Sequence, residues 1–371
     1  MPAREEEIAA AIGRAAELGV PLRVAGSGHS FQPVVATSGV LMSLDAWAGT
    51  TACDEEARTV TVRSGTILHD LGELLLAEGL AMENLGDVDV QSLGGALGTG
   101  THGTGHTLGN LPSQLTAMRL VLASGEILEC SRDVEPEVFA AARVSLGALG
   151  VLSTATLQLV PAYRLHERTW RCSAEEVVAE LPGQVAEHRH FEFFWYPHAD
   201  RAEAKSLDMT DAQPSDLPGR KGERIGWSSN VLPSPRELRF HEMEYSVPAE
   251  AGADCFRAVR ERIQARWPDL QWPVEWRTLR SDDAWLSTAS ERETVAISIH
   301  QDVQLPFRDL FSDVESIFRE HAGRPHWGKI HGLRSAELAE LYPHFEDFCR
   351  VRRRLDPEGR FSSDHLRELF E

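Results

Sequence analysis

Cysteine is scarce in this chain, and long apolar runs are missing altogether. The five cysteines among 371 residues (Cys53, Cys130, Cys172, Cys255 and Cys349) are odd in number and scattered, with no C-x-x-C pair. That spacing excludes a zinc ribbon and a thioredoxin-like motif, and predicts buried free thiols in a reducing compartment. No stretch approaches the ~18 apolar residues of a membrane span. The opening Met1-Pro2-Ala3-Arg4-Glu5-Glu6-Glu7 is acidic and lacks the apolar core of a signal peptide. The expectation is a cytoplasmic protein. Positive charge is also short: 37 Lys and Arg stand against 57 Asp and Glu, a net charge of −20. That balance disfavours nucleic acid and anionic membranes as partners. The remainder is ordinary for a globular protein, with 42% hydrophobic and 25% charged residues and length enough for two domains.

The chain opens on a helix pattern: Ile8, Ile12 and Ala15 share one face, Pro2 and three glutamates suit its start, and Gly19 stops it. Residues 22–25, 40–44 and 59–63 read as strands, and 67–78 as a leucine-rich helix ended by Gly79. Residues 115–123 and 126–130 flank Ser124-Gly125 as a hairpin, followed by a helix over 138–146 and a strand over 151–160. Residues 191–197 form an aromatic strand, and 209–236, rich in Pro, Gly, Ser and charge, read as a long surface excursion. Strands over 242–247, 274–279 and 294–300 then alternate with helices over 251–267 and 307–321.

What stands out is a pair of glycine-flanked histidines: Gly26-Ser27-Gly28-His29-Ser30, and Thr99-Gly100-Thr101-His102-Gly103-Thr104-Gly105. Glycine lets backbone press close to a ligand, so two such loops predict an extended, phosphate-bearing cofactor lying across them. The run from Gly98 to Gly103 formally satisfies G-x-G-x-x-G, but no helix pattern follows it, which excludes the Rossmann reading. The second loop is expected instead to cradle a pyrophosphate through backbone N–H groups. His102 and His106 stand four apart on a segment that cannot be helical, and His321, His326 and His331 have no further ligand in register, so no metal is expected.

The segment Leu22-Arg23-Val24-Ala25-Gly26-Ser27-Gly28-His29-Ser30-Phe31 resembles the flavin-attachment segment of FAD-linked sugar-lactone and alditol oxidases, flavoproteins of the vanillyl-alcohol-oxidase type. The resemblance continues through Asn84 to Gly95, Glu242-Met243-Glu244-Tyr245-Ser246-Val247-Pro248, Arg324-Pro325-His326-Trp327-Gly328-Lys329 and Arg353 to Phe361. Five ordered blocks span nearly the whole chain, and the gulono- and arabinono-1,4-lactone oxidase branch is the most similar. It implies an α+β fold: an FAD-binding domain over 1–163, an antiparallel-sheet substrate cap over 164–323, and a C-terminal segment, 324–371, returning to the FAD domain.

The same resemblance implies roles. His29 would bond covalently to the flavin. Gly26, Ser27, Gly28, Ser30, Gly86, Asp87, Ser92, Gly95, Gly100, Thr101, His102, Gly103, Thr104, Gly105, Val151 and His365 would contact FAD. Glu275 and Arg277 match an E-x-R element; two apart on a strand, they face one side, where they would hold sugar hydroxyls and stabilise negative charge, or merely pair with each other. His300 and Lys329 are alternative bases for the hydroxyl proton. Gly86 leans toward an oxidase rather than a dehydrogenase. Asp87, where the alditol branch tends to carry serine, points to lactones, while Asp302 departs from the residues often found there. The start and the 209–236 stretch are short for the family, which suits a bulkier alcohol. The substrate would be a small sugar lactone or polyol, with oxygen or another acceptor taking the electrons. Alditol oxidation and non-catalytic flavin binding are the rival readings.

Overall fold

The computed structural model describes residues 1–216, 222–234 and 238–371. Helix α1 (Glu5–Glu17) buries the expected Ile8, Ile12 and Ala15. They pack on β1 (Leu22–Ala25) and β2 (Val40–Ser43), a parallel pair, in a cluster that also holds Val121, Val151 and Phe361. Next come β3 (Thr50–Asp54), β4 (Thr59–Arg63), α2 (Leu68–Ala77) and a short helix not foreseen from sequence, α3 (Leu93–Thr99). The hairpin of β5 (Leu115–Val121) and β6 (Ile127–Ser131) turns at Gly125, whose φ of +85° suits glycine. Helix α4 (Pro136–Ala142) and strand β7 (Val151–Gln158) follow. An antiparallel five-stranded sheet results, in the order β3-β4-β7-β5-β6.

The second half is built on β8 (Arg164–Ser173), α5 (Ala174–Glu187), β9 (His190–Tyr196), β10 (Arg201–Thr210), β11 (Glu223–Trp227), β12 (Phe240–Pro248), α6 (Gly252–Arg266), β13 (Val274–Leu279), β14 (Thr294–Asp302) and α7 (Arg308–Glu320). Its nine-stranded antiparallel sheet begins with the two-residue strand Ser215–Asp216. It continues β11-β8-β10-β9-β13-β14-β12 and ends with Arg324–Pro325. The expected surface excursion over 209–236 is corrected here. β10 runs to Thr210, and β11 returns to pair with β8 from Arg164↔Trp227 to Arg168↔Glu223, because backbone pairing overrides the turn-rich composition. The rest of that expected excursion, residues 217–221 and 235–236, lies outside the described residues.

Alternation along β12, β13 and β14 divides the sheet. Met243, Tyr245, Val274, Trp276, Ile297 and Ile299 are buried in the core, where α6 and α7 cover the sheet. The polar alternates face the other way. The C-terminal helices α8 (Ser335–Leu341), α9 (Phe345–Leu355) and α10 (Asp364–Phe370) carry the chain back to its start. Leu22 N–H donates to the Arg360 carbonyl at 2.8 Å, and the buried Arg23 guanidinium bonds the carbonyls of Phe361, Val34, Leu146 and Gly147. Among the described residues no helix is long and apolar enough to cross a membrane. Cys130, Cys255 and Cys349 are buried free thiols, whereas Cys172 is half-buried and Cys53 exposed.

Candidate active site

Two cavities meet at the first histidine loop. One is a cleft of about 1060 Å³ walled by residues 23–30, by Ser92, Gly94, Gly95 and Gly98 of α3 and its start, and by Gly147, Gly150 and Val151. The other, about 1400 Å³, is a charged chamber beneath the nine-stranded sheet. Gly28, His29, Ser30, Gln91 and Thr99 line both. His29 sits at that junction.

The cleft is shaped for close backbone approach. A Cβ on Gly26 would overlap Ser92 Oγ, and one on Gly95 would lie 3.1 Å from the same atom. Gly28 has a φ of +70°, a conformation that favours glycine. Among the described residues, the backbone N–H groups of Ser27, Gly28, His29 and Ser30 have no protein acceptor, nor has the buried Gln91 Oε1 a donor. Successive free N–H groups in a glycine turn form an anion-binding concavity.

The chamber's floor follows from sheet register. Glu242 pairs with His300, Glu244 with Ser298, Glu275 with Ser298 across the next strand, and Arg277 with Ala296. Cross-strand partners share a face, so Glu242, Glu244, Glu275, Arg277, Ser298 and His300 all project from one side. Lys329 joins them from the segment after Pro325. That segment is fixed by Ile330 N–H to the Glu242 carbonyl (2.9 Å), by buried Trp327 donating to the Leu286 carbonyl (2.6 Å), and by Phe31 N–H to the Gly328 carbonyl (2.7 Å). The last bond ties the His29 loop to the Lys329 segment.

Charges on this face are paired. Glu244 Oε2 accepts from Arg277 Nη2 at 2.5 Å and Ser298 Oγ at 2.7 Å, and its Oε1 faces His102 Nε2 at 2.8 Å. Burial opposes ionisation of Glu244, but the charges of His102 and Arg277 hold its carboxyl well below the usual range. Burial likewise works against the Arg277 cation and is outweighed by Glu275, 3.4 Å away, and Glu244, so its pKa rises. The other ring nitrogen of His102, Nδ1, lies 2.9 Å from the Gly103 carbonyl. Lys329 Nζ donates to Glu242 Oε2 at 2.5 Å, and Glu242 Oε1 lies 3.7 Å from His300 Nε2. His300 Nδ1 is 2.8 Å from the Pro273 carbonyl, which places the ring proton there and leaves Nε2 as an acceptor. Burial first, then the Lys329 cation, lowers the pKa of His29, with Asp87 and Glu242 opposing; the neutral imidazole is favoured.

Most of the expected site residues converge. Glu275, Arg277, His300, Lys329, Asp87, Thr101 and His102 line the chamber, and Gly26 to Ser30, Ser92, Gly95 and Val151 line the cleft. Gly100, Gly103, Thr104 and Gly105 line neither cavity, whereas Gly98 and Thr99 of the same run line the cleft. Gly98 and Thr99 belong to α3, Gly100 caps that helix with φ +76°, and Thr104 bonds the Phe191 carbonyl and Thr278 N–H of the larger sheet. Gly86 lies beneath Thr101, where a Cβ would come within 3.0 Å of Thr101 Cγ2, and lines neither cavity. His365, on α10, lines neither, nor does Asp302, whose carboxylate accepts Gln304 N–H. His102 groups with Glu244 and His326 rather than His106, and Glu242, Glu275 and His300 form a second such cluster. In both clusters, carboxylates already paired with Arg277 or Lys329 leave a metal ion to displace a fixed cation. Glu242 and Glu244 were not singled out from sequence; their period-2 alternation with Met243 and Tyr245 was the available signal.

Residues 1–131 match the FAD-binding domain family. The fold is also that of cholesterol oxidase from B. sterolicum, with a TM-score of 0.89 at 18% identity, covering 100% of this chain and 93% of that one. Fold and cleft together define a two-domain α+β FAD-binding protein with an antiparallel-sheet cap. Residues 155–225 and 218–369 match the D-arabinono-1,4-lactone oxidase family. An L-gulono-1,4-lactone dehydrogenase of Mycobacterium tuberculosis is 37% identical over 100% of this chain and 95% of its own length. An L-gulonolactone oxidase of Bos taurus is 31% identical (100% and 94%), and an alditol oxidase of a Streptomyces species 30% (100% and 95%). The chain belongs to the D-arabinono-1,4-lactone oxidase family of FAD-linked oxidoreductases. The cleft fits that cofactor: free N–H groups suit a pyrophosphate, and glycines leave room where a Cβ would intrude.

Proposed function

We propose that this chain oxidises a hydroxyl on a sugar-1,4-lactone of the gulono- or arabinono-lactone type, with oxygen or another acceptor taking up the electrons. The observation that carries the reading is the meeting of the glycine-walled cleft and the charged chamber at His29. FAD, when bound, supplies the two-electron acceptor for the hydride leaving the carbinol carbon. The chain's own side chains position and deprotonate the substrate. Glu275 accepts from a sugar hydroxyl, and Arg277, fixed by Glu244, faces the negative charge that develops. Between the two candidate bases we assign His300, because its Nε2 is an acceptor while Lys329 is already committed as a cation to Glu242. Lys329 adds a fixed positive charge.

His29 is assigned as the covalent attachment point; its favoured neutral state supplies the nucleophilic imidazole that such a bond needs. The FAD-binding unit is placed over 1–163, the cap over 164–323, and the returning segment over 324–371. A cytoplasmic location is inferred from five unpaired cysteines.

Turnover of L-gulono-1,4-lactone and D-arabinono-1,4-lactone against xylitol and sorbitol tests the substrate class. The lactones should give the higher kcat/KM; a preference for the alditols would move the assignment to polyols, and turnover of none would end it. In acid precipitation the wild-type pellet should stay yellow, whereas His29→Ala should release all its FAD to the supernatant. Flavin retained in the pellet of the variant would refute the His29 bond.

A further inference from the structure

Glu242 has no role in the scheme so far beyond neutralising Lys329, yet three elements converge on it. It stands on β12 directly opposite His300 of β14, its backbone carbonyl accepts Ile330 N–H, and its side chain, 5% exposed, lines the chamber. One carboxylate oxygen holds Lys329 Nζ at 2.5 Å and the other faces His300 Nε2 at 3.7 Å. At 3.7 Å the second oxygen makes an ion-pair contact, within reach of the charge that forms when that ring nitrogen takes a proton.

We propose that Glu242 is a positioning residue that couples His300 and Lys329: one oxygen holds the Lys329 ammonium in place, and the other stabilises the imidazolium formed when His300 takes the substrate's proton. This rests on the assignment of His300 as base above. The hydroxyl O–H bond breaks and its proton goes to His300 Nε2. The carbinol C–H pair leaves as hydride to the cofactor, so the alcohol becomes a carbonyl and FAD is reduced. Glu242 itself gains no proton. The arrangement resembles in logic a carboxylate that orients a catalytic imidazole and steadies its charged form. It differs in that the same carboxylate also fixes a lysine.

Other charges share the chamber with this pair, among them Arg239, Glu244 and Arg277. Glu275 of β13 offers a carboxylate oxygen within 4.8 Å of the ligand atoms of both Glu242 and His300, but it is shared with Arg277 at 3.4 Å. Lys329 opposes protonation of His300, and the His29 loop and Asp87 line the same chamber. Removing the Glu242 charge therefore leaves His300 facing Lys329 with less compensation.

The test is anaerobic flavin reduction by a lactone substrate, followed in stopped flow across pH, for the wild-type holoenzyme, Glu242→Gln and Glu242→Asp. In Glu242→Gln the plateau rate should fall roughly 10–100-fold, less than the 10²–10⁴-fold a base itself contributes. Its acid limb should move to lower pH by about one unit, since the lost carboxylate no longer favours protonated His300. Glu242→Asp keeps the charge but withdraws it, so its rate and its acid limb should both move the same way as in Glu242→Gln and by less; it also serves should the Gln variant not fold. A lowered rate with an unmoved acid limb in Glu242→Gln would reduce Glu242 to a structural counter-ion. Faster reduction at neutral pH would overturn the coupling differently, by showing that Lys329, released from its partner, is the base. If wild-type flavin is not reduced by any lactone or alditol, it is the proposed function that fails, whatever the variants do.

Discussion

Glu244 is kept ionised in the interior by three donors at once, from His102, Arg277 and Ser298. Removing one partner of a buried ion pair strands the others, at a cost of about 3–5 kcal/mol. Glu244→Gln should lower unfolding stability by that order in denaturant titrations at neutral pH. A change within about 0.5 kcal/mol, the range of ordinary surface substitutions, would contradict the pairing. At this scale the sequence was informative where spacing alone suffices. Glu275 and Arg277 lie two apart on one strand, and both reached the chamber as expected. The bond between His102 and Glu244 joins residues 142 apart, and no local pattern encodes such a partner.

The second histidine loop is strapped to the larger sheet. Thr104 Oγ1 donates to the Phe191 carbonyl at 2.6 Å and accepts Thr278 N–H at 3.2 Å, and Gly105 N–H reaches the Thr278 carbonyl at 2.9 Å. At Gly103 a Cβ would overlap the Leu85 carbonyl oxygen and come within 2.9 Å of Asn84 Oδ1. Gly103→Ala should therefore lower stability by ~1–3 kcal/mol, as overpacking does, and loosen the chamber wall that carries His102. Thermal unfolding checks this, and an unchanged midpoint would show that the loop yields freely. Elements with a strong period were legible, among them α1, α2, β13 and the hairpin at Gly125. Helix α3 was not, because Leu93-Gly94-Gly95-Ala96-Leu97-Gly98-Thr99 carries three glycines, which disfavour helix, and tertiary packing overrides that preference. β11 was hidden for the converse reason: its partner strand β8 lies some sixty residues away in a turn-rich neighbourhood.

At the scale of the whole molecule, folding buries three histidines whose neutral form burial favours. Burial pushes the pKa of His190 down to about 4, and those of His326 and His331 down to about 3, each from 6.5. Below pH 6.5 the unfolded chain binds protons that the folded chain refuses, so stability must fall as pH drops toward those values. Three such groups give a slope approaching about 4 kcal/mol per pH unit, at 1.36 kcal/mol each. Glu244, with its folded pKa depressed, adds a further loss only below the ordinary carboxylate range. Unfolding free energies measured between pH 7 and 5 check the sign, and a flat profile would mean these histidines take up protons while folded. The two-sheet architecture was legible only as a class, since the order of nine strands is set by long-range pairings. The family blocks supplied that class where periodicity could not.

If substrate oxidation occurs where the FAD cleft meets the charged chamber, anaerobic mixing of the holoenzyme with L-gulono-1,4-lactone will reveal it. The flavin's visible absorbance should bleach rapidly, and at least ~10²-fold more slowly in His300→Ala, with colour returning when oxygen or another acceptor is admitted. A flavin that stays yellow with every lactone and alditol, or one that bleaches equally fast without His300, would contradict it.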